Sequence, residues 1–169
     1  MKHLKKLLLA AVFTIGLAGV ANAQKNAHID TVKLLENMPE TKAMQIELDK
    51  LKKTYSDDIE AMIKKHQAKI AKYDAEGKSQ TQEENQKRVI EIQQERQKIA
   101  QAEQQATQEL SKKFQEKRVP IIKKAQEAIK AVAAEKGFIY VFDSAPGSGL
   151  IVFEKGEDIY ESVKAKLGF

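Results

Sequence analysis

From Met44 to Tyr73 the large apolar side chains fall three and four residues apart: Met44, Leu48, Leu51, Tyr55, Ile59, Met62, Ile63, Ile70 and Tyr73, with His66 in the same rhythm. That spacing predicts a helix over 40–75. Ile59, Ile63, His66, Ile70 and Tyr73 step 4-3-4-3, a heptad seam, and the slip between Tyr55 and Ile59 reads as a stutter. The stretch 74–84 interrupts with Gly77 and Ser/Thr/Gln chemistry, and Thr81 with Glu84 forms a capping box for a second helix. Residues 86–118 then contain no Gly and no Pro and are rich in Gln, Glu, Lys, Arg and Ala, all good helix formers. Their seam is looser: Val89, Ile92, Arg96, Ile99, Ala102, Ala106, Leu110 and Phe114.

The two helical stretches, 40–76 and 82–118, are both 37 residues long. Equal rods joined by a short connection predict an antiparallel hairpin, each arm reaching about 55 Å at about 1.5 Å per residue. A thin hairpin exposes most of its surface, so its seam is sparse. Ala100, Ala102 and Ala106 would let the arms approach closely.

The flanks have a different texture. Residues 27–30, "AHID", predict a short strand, and 31–39 a short helix capped by Thr31 and ended near Pro39. After residue 118, "PIIKKAQEAIKAVAAEKG" is amphipathic, with Ile121, Ile122, Ala125, Ile129 and Val132 on one face. Pro120 fits the first turn of a renewed helix or a kink in a continuous one, and Gly137 fits its C-terminal stop. Residues 138–143, "FIYVFD", and 150–153, "LIVF", are too apolar for one-sided strands, which predicts cover on both faces. The turn-rich "SAPGSG" between them predicts a hairpin, and the chain closes on a helix with Asp158 and Glu161 as its capping pair.

The fold class expected is therefore mainly α with a small β core. A helical hairpin arm, 40–118 with its tip at 74–84, stands on a discontinuous α+β body of 24–39 and 119–169. That body has 67 residues, below the about 70–80 at which one core suffices. With no cysteine for a disulfide, oligomerisation is the remaining support. Ile29, Ile121, Ile122, Ile129, Val132, Phe138, Ile139, Tyr140, Val141, Phe142, Leu150, Ile151, Val152 and Phe153 are the expected oligomerisation core.

The N-terminus changes the reading of charge. Lys2, Lys5 and Lys6 precede an apolar stretch, Leu7–Val20, and Ala21-Asn22-Ala23 is a cleavage site. This is a secretory signal peptide, 1–23, cleaved after Ala23, because the apolar run is shorter than the about 20 residues a membrane span needs. The expected mature chain carries 26 basic and 24 acidic residues, so the net +5 of the whole chain falls to +2. An exported protein of that charge has little call on nucleic acid.

Reactive constellations are missing. The motifs for P-loops, dinucleotide folds, serine hydrolases and zinc proteases do not occur. His28 and His66 are far apart in sequence, and the carboxylates are spread evenly along helices, so neither an enzyme nor a metal or other cofactor is expected. Two basic runs are more informative: Lys64, Lys65, Lys69 and Lys72 without an intervening acid, and Lys112, Lys113, Lys117, Arg118, Lys123 and Lys124 around Glu116 alone. Solvated helix faces explain them in the simplest way. The sharper reading is a positive lining that attracts anionic chains or membrane lipid headgroups.

The succession of export signal, strand and helix, charged hairpin, amphipathic helix, apolar strands and terminal helix resembles the Skp/OmpH family of periplasmic chaperones. "AHIDTVKLLENMPE", "RVPIIKKAQEAIKAVAAEKGFIYVFD" and "DIYESVKAKL" carry the resemblance, with Tyr160 where the family usually has Thr. The resemblance implies a periplasmic, jellyfish-like homotrimer that holds unfolded outer-membrane β-barrel proteins between its arms without ATP. The arm residues expected to grip such clients are Met62, Ile63, Ile70, Ile92 and Ile99, with Lys64, Lys65, Lys69, Lys72, Lys112, Lys113, Lys117 and Arg118 supplying charge. A structural coiled-coil spacer or adaptor of the cell envelope is the alternative.

Overall fold

The computed structural model describes residues 25–149 and 155–169. The expected signal peptide and the apolar run Leu150–Phe153, with the hairpin it would close, lie outside them. The elements in chain order are β1 (Asn26–Ile29), α1 (Thr31–Asn37), α2 (Pro39–Glu76), α3 (Gln82–Lys136), β2 (Tyr140–Asp143), β3 (Glu157–Asp158) and α4 (Tyr160–Leu167). The chain divides into two compact units, one of 36–124 and one that joins 25–35 to 125–149 and 155–169.

Among the described residues the smaller unit has a three-stranded sheet of order β2-β1-β3, with both neighbours parallel to β1. Parallel pairing requires long crossovers, and the two long helices lie between β1 and β2 in sequence. Ala27 and Ile29 of β1 are fully buried with Leu34, Val132, Ile159 and Val163. β3 comes within reach of β1 at Gly156, where a Cβ would stand 3.1 Å from the Asn26 carbonyl oxygen.

Two local expectations are corrected here. Asp30, not Thr31, caps α1: its Oδ1 accepts from the Lys33 N–H at 2.8 Å. Thr31 instead donates its N–H and its hydroxyl to Asp143, at 3.2 and 2.7 Å, and so fastens the start of α1 to the end of β2. The capping pair expected for α4 is half present: Asp158 Oδ1 accepts from the Tyr160 N–H at 2.9 Å, while Glu161 simply lies in the first turn. Within one chain 138–143 is only partly covered. Ile139, Tyr140 and Phe142 are 58%, 58% and 41% exposed, and the Tyr140 and Phe142 rings stack at 6.0 Å on the open side of β2.

In the larger unit α2 and α3 run antiparallel. α3 passes through Pro120 without interruption, because Pro120 and Val119 both face solvent, where water can serve the carbonyl that loses its N–H partner. The helix stops at Gly137, whose φ of 71° permits the closing bonds from Phe138 N–H to the Ala133 carbonyl (2.9 Å) and from Gly137 N–H to Ala134 (3.3 Å). The interruption between the arms is shorter than expected, a single 3-10 turn at Gly77–Ser79 followed by Gln80 and Thr81. Thr81 caps α3 as its spacing predicts, its Oγ1 accepting from Glu84 N–H at 3.2 Å.

Asp143 is the polar link of the smaller unit. Burial raises its pKa, but donors from Thr31 and Ala145 outweigh this and hold it below the ordinary value of 3.8. Its contribution to stability is therefore complete above the ordinary value and lost as pH falls through the lowered one. Asp143→Ala is expected to cost about 2 kcal/mol, as charged hydrogen bonds do, measured by urea unfolding, with the loss shrinking in acid.

Candidate functional site

The candidate site is the seam between α2 and α3. Its register is written in polar pairs. Lys69 meets Glu95, Tyr73 meets Glu91, Glu76 meets Arg88, Glu47 meets Lys117 and Glu40 meets Lys124; in every pair the two residue numbers add to 164. Equal rods would have set Glu40 beside Arg118, and the structure shifts the partner to Lys124. The reason lies at the turn. Asn85 Nδ2 donates to the Gly77 carbonyl at 2.9 Å and ties the start of α3 to the connection, so that Arg88, one turn later, is the residue that meets Glu76.

Near the turn the seam is a ladder of charged and polar groups. Lys69 Nζ contacts Glu91 at 2.6 Å and also Glu95. Tyr73 donates its hydroxyl to Glu91 Oε2 at 2.6 Å, and His66 Nδ1 faces Glu95 at 3.4 Å. The Arg88 guanidinium lies 4.4 Å over the Tyr73 ring, bonds Glu76 at 2.9 Å and faces Glu84 at 3.6 Å. Lys69 and Arg88 are only 28% and 14% exposed, so these are partly desolvated contacts. Lys69 beside them, joined by the Tyr73 hydroxyl at Glu91, holds the Glu91 and Glu95 carboxyls below their usual range. The same bonds, Glu91 first, raise Lys69, and Glu91 raises Tyr73.

Away from the turn the seam becomes apolar, with Leu48, Leu51, Tyr55, Ile59 and Ile63 on α2 and Ala102, Ala106, Leu110 and Phe114 on α3, all buried or half-buried. Two positions of the expected seam are displaced. Val89 and Arg96 are exposed, and Arg88 and Glu95 face inward in their place.

Along this seam lie shallow grooves. One, about 560 Å³, is lined by Ile70, Tyr73, Val89 and Ile92 together with Lys78, Arg88 and Asp74. A second, about 450 Å³, lies between Met62 and Ile99, with Lys65, Lys69, Glu95 and Lys98 around them. A third of about 450 Å³ includes Tyr55, Ile59, Ile63, Ala106 and Leu110. All five apolar residues expected to grip a client thus line grooves, distributed over three of them.

The basic residues are not brought together. Lys64 pairs with Glu60 at 2.5 Å, Lys72 reaches Glu76 at 4.0 Å, Lys113 pairs with Glu116 at 3.3 Å and Lys117 with Glu47 at 2.6 Å. Arg118 lies 5.6 Å over the Phe114 ring, and Lys65 and Lys112 are exposed. Runs free of acid along the chain are therefore largely matched by acids one turn away or on the facing helix. Of the expected oligomerisation residues, Ile29, Ile121 and Val132 are buried by the chain itself, Ile122, Ile129, Phe138 and Val141 are half-buried, and Ile139, Tyr140 and Phe142 are open. Glu91, Glu95, Arg88 and Glu76 were missed by sequence reasoning, which took the carboxylates as solvated. The signal was present in the constant register once one pair is known.

A family model described as "Outer membrane protein (OmpH-like)" matches residues 25–167. The chain belongs to the OmpH-like family. The OmpH-like fold is also that of a crystal structure from Caulobacter crescentus CB15, described as an OmpH-like outer membrane chaperone. It matches with a TM-score of 0.76 at 13% identity, over 84% of this chain and 82% of that one. No curated protein sequence matches the chain. Among the described residues no helix is long and apolar enough to cross a membrane, and no group of His, Cys, Asp and Glu is arranged to hold a metal ion.

Because Lys69 is the shared partner of Glu91 and Glu95, Lys69→Gln removes both ion pairs at once. Amide hydrogen exchange is expected to quicken several-fold in 62–76 and 88–99 and to stay unchanged around β1.

Proposed function

We propose that this OmpH-like protein is an ATP-independent holdase of the periplasm. It loses residues 1–23 on export, works as a homotrimer, and shields unfolded outer-membrane β-barrel proteins between its hairpins until they are released. The observation that carries this reading is the seam. Apolar islands in three open grooves of about 450–560 Å³ alternate with ion pairs, so no single large apolar patch forms. Such a surface offers many weak footholds to a non-native chain and little to a folded one, and it limits self-aggregation. Family membership and the chaperone of similar fold support the same role.

The division of labour proposed is an arm of 40–118 that holds clients and a body of 24–39 and 119–169 that assembles the trimer. The open Tyr140 and Phe142 on β2, with Ile139 just before it, are the surface through which copies associate, since large apolar residues left exposed are unfavourable in water. Because five of the seven arm lysines expected to supply charge, Lys64, Lys69, Lys72, Lys113 and Lys117, are already matched, the attraction of that set for anionic clients, and brief contact with anionic lipid headgroups, falls to the exposed Lys65, Lys112 and Arg118.

The decisive test is dilution of a urea-unfolded outer-membrane β-barrel protein into buffer without nucleotide, followed by light scattering. The mature protein is expected to suppress scattering at stoichiometric amounts, and scattering that rises as in buffer alone would refute the holdase reading. Native mass measurement should give three times the mature chain. Tyr140→Asp with Phe142→Asp should yield a smaller species, because a charge buried without a partner is costly.

Raising the ionic strength should slow capture only modestly, since most lysines of the two basic runs are held in ion pairs and exposed charges are screened within about 3 Å at 1 M salt. Stopped-flow fluorescence of a labelled client at low and high salt reads this directly.

A further inference from the structure

The hairpin is held differently in its two halves. In the half that contains Leu48, Tyr55, Ile59, Leu110 and Phe114 the seam is apolar, and Met44, Ala106 and Ile121 are buried there. Ion pairs in that half, Glu47–Lys117 and Glu40–Lys124, lie at exposed positions beside the apolar contact. In the half near the turn the cross-helix ties are carboxylate bonds: Glu91 and Glu95 of α3 hold Lys69, Tyr73 and His66 of α2, and Glu76 of α2 holds Arg88 of α3. The apolar residues there, Met62, Ile70, Ile92 and Ile99, line grooves between the ion pairs, whereas the groove of the other half, beside Tyr55, Ile59 and Leu110, has no charged tie across it among the described residues.

We propose that the turn-side half of the hairpin is an acid-releasable clamp: protonation of Glu91 and Glu95 parts α2 from α3 around 66–95, while the apolar half remains closed. A protonated carboxyl no longer offers Lys69 a counter-charge, and Lys69 cannot leave the seam without rotating into water. The charges facing the pair set the sign. On α2 they are Lys65 and Lys69, with Asp74 and Glu76 toward the turn and the titratable Tyr73 and His66 in contact with the pair; on α3 they are Arg88 and Lys98, with Glu84 toward the turn. When the carboxyls are neutral, the lysines and the arginine are left facing one another across the seam and repel.

The lowered pKa values of Glu91 and Glu95 agree in sign. Their stabilisation is complete above the ordinary value of 4.5 and is lost as pH falls through the lowered values. Opening would bare Ile70, Tyr73 and Ile92 on a tethered segment, so the surface offered to other chains would grow in acid. This inference stands without the chaperone reading, because it concerns one hairpin and needs no client.

The test uses the absence of cysteine from the chain. Ala68→Cys with Gln94→Cys places two spin labels on exposed positions of the turn-side half, and Lys52→Cys with Ser111→Cys places two on the other half. Labelled protein is diluted into unlabelled protein so that distances within one hairpin are read by electron–electron double resonance, at about pH 7 and about pH 3. The expected result is a longer, broader distribution for the first pair in acid and an unchanged one for the second. Glu91→Gln with Glu95→Gln should already show the broad distribution at neutral pH and little further change in acid. If the first pair keeps its distance in acid, if both pairs separate together, or if the double variant responds to acid as the parent does, the clamp is refuted.

Discussion

A lysine and two glutamates are held at one level of a hairpin too thin to bury them. That constraint governs the larger unit. Two helices side by side can cover only one stripe of each other, so apolar packing alone leaves their sliding weakly opposed: one turn of slippage exchanges Ile for Ile. Charged groups remove this degeneracy. Lys69 facing Glu91 and Glu95, and Arg88 facing Glu76, set one level of α2 against one level of α3. Partly desolvated pairs are poor sources of stability but good determinants of register. The constant pairing from Glu40–Lys124 to Glu76–Arg88 is the result.

The smaller unit meets a different constraint. Its central strand has four residues, and one neighbour has two. So short a sheet is held by its crossings more than by its ladder. Thr31 and Asp143 are 112 positions apart, yet their two hydrogen bonds set the beginning of α1 against the end of β2. Asp143 also accepts from the Ala145 N–H at 3.0 Å and so begins the turn that follows. One carboxylate thus orders a helix start, a strand end and a loop. The exposed Tyr140 and Phe142 rings on β2 are the exception to this economy.

Much of the fold was legible because it rests on local rules. The spacing of Met44 through Tyr73 gives α2, the lack of Gly and Pro gives α3, and Thr81 and Gly137 mark helix ends by capping chemistry. Two kinds of information were not local. Register depends on how many residues the turn consumes, and equal helix lengths were a poor guide because Asn85 binds back to the connection. Polar seam positions depend on which partner lies opposite. Val89 and Arg96 fit the apolar rhythm as well as Arg88 and Glu95 do, and only cross-helix pairing selects the latter. For the same reason the basic runs looked unmatched in sequence: their acids lie four residues away or on the other helix.

The site follows the same division. Met62, Ile63, Ile70, Ile92 and Ile99 were picked from hydrophobic spacing and line grooves, but the charged groups beside the two turn-side grooves were not. A seam filled with leucine would close, bury its apolar residues and leave nothing to offer. A seam with Lys69, Glu91 and Glu95 between its isoleucines cannot close completely, since each charge needs room, a partner and some water. The polar ladder therefore has two effects: it fixes the register of the arms, and it holds the neighbouring apolar side chains half-buried. Weak apolar exposure, stably maintained, is hard to obtain from apolar residues alone, because they either pack or aggregate. Interrupting them with ion pairs achieves it within a hairpin that remains ordered.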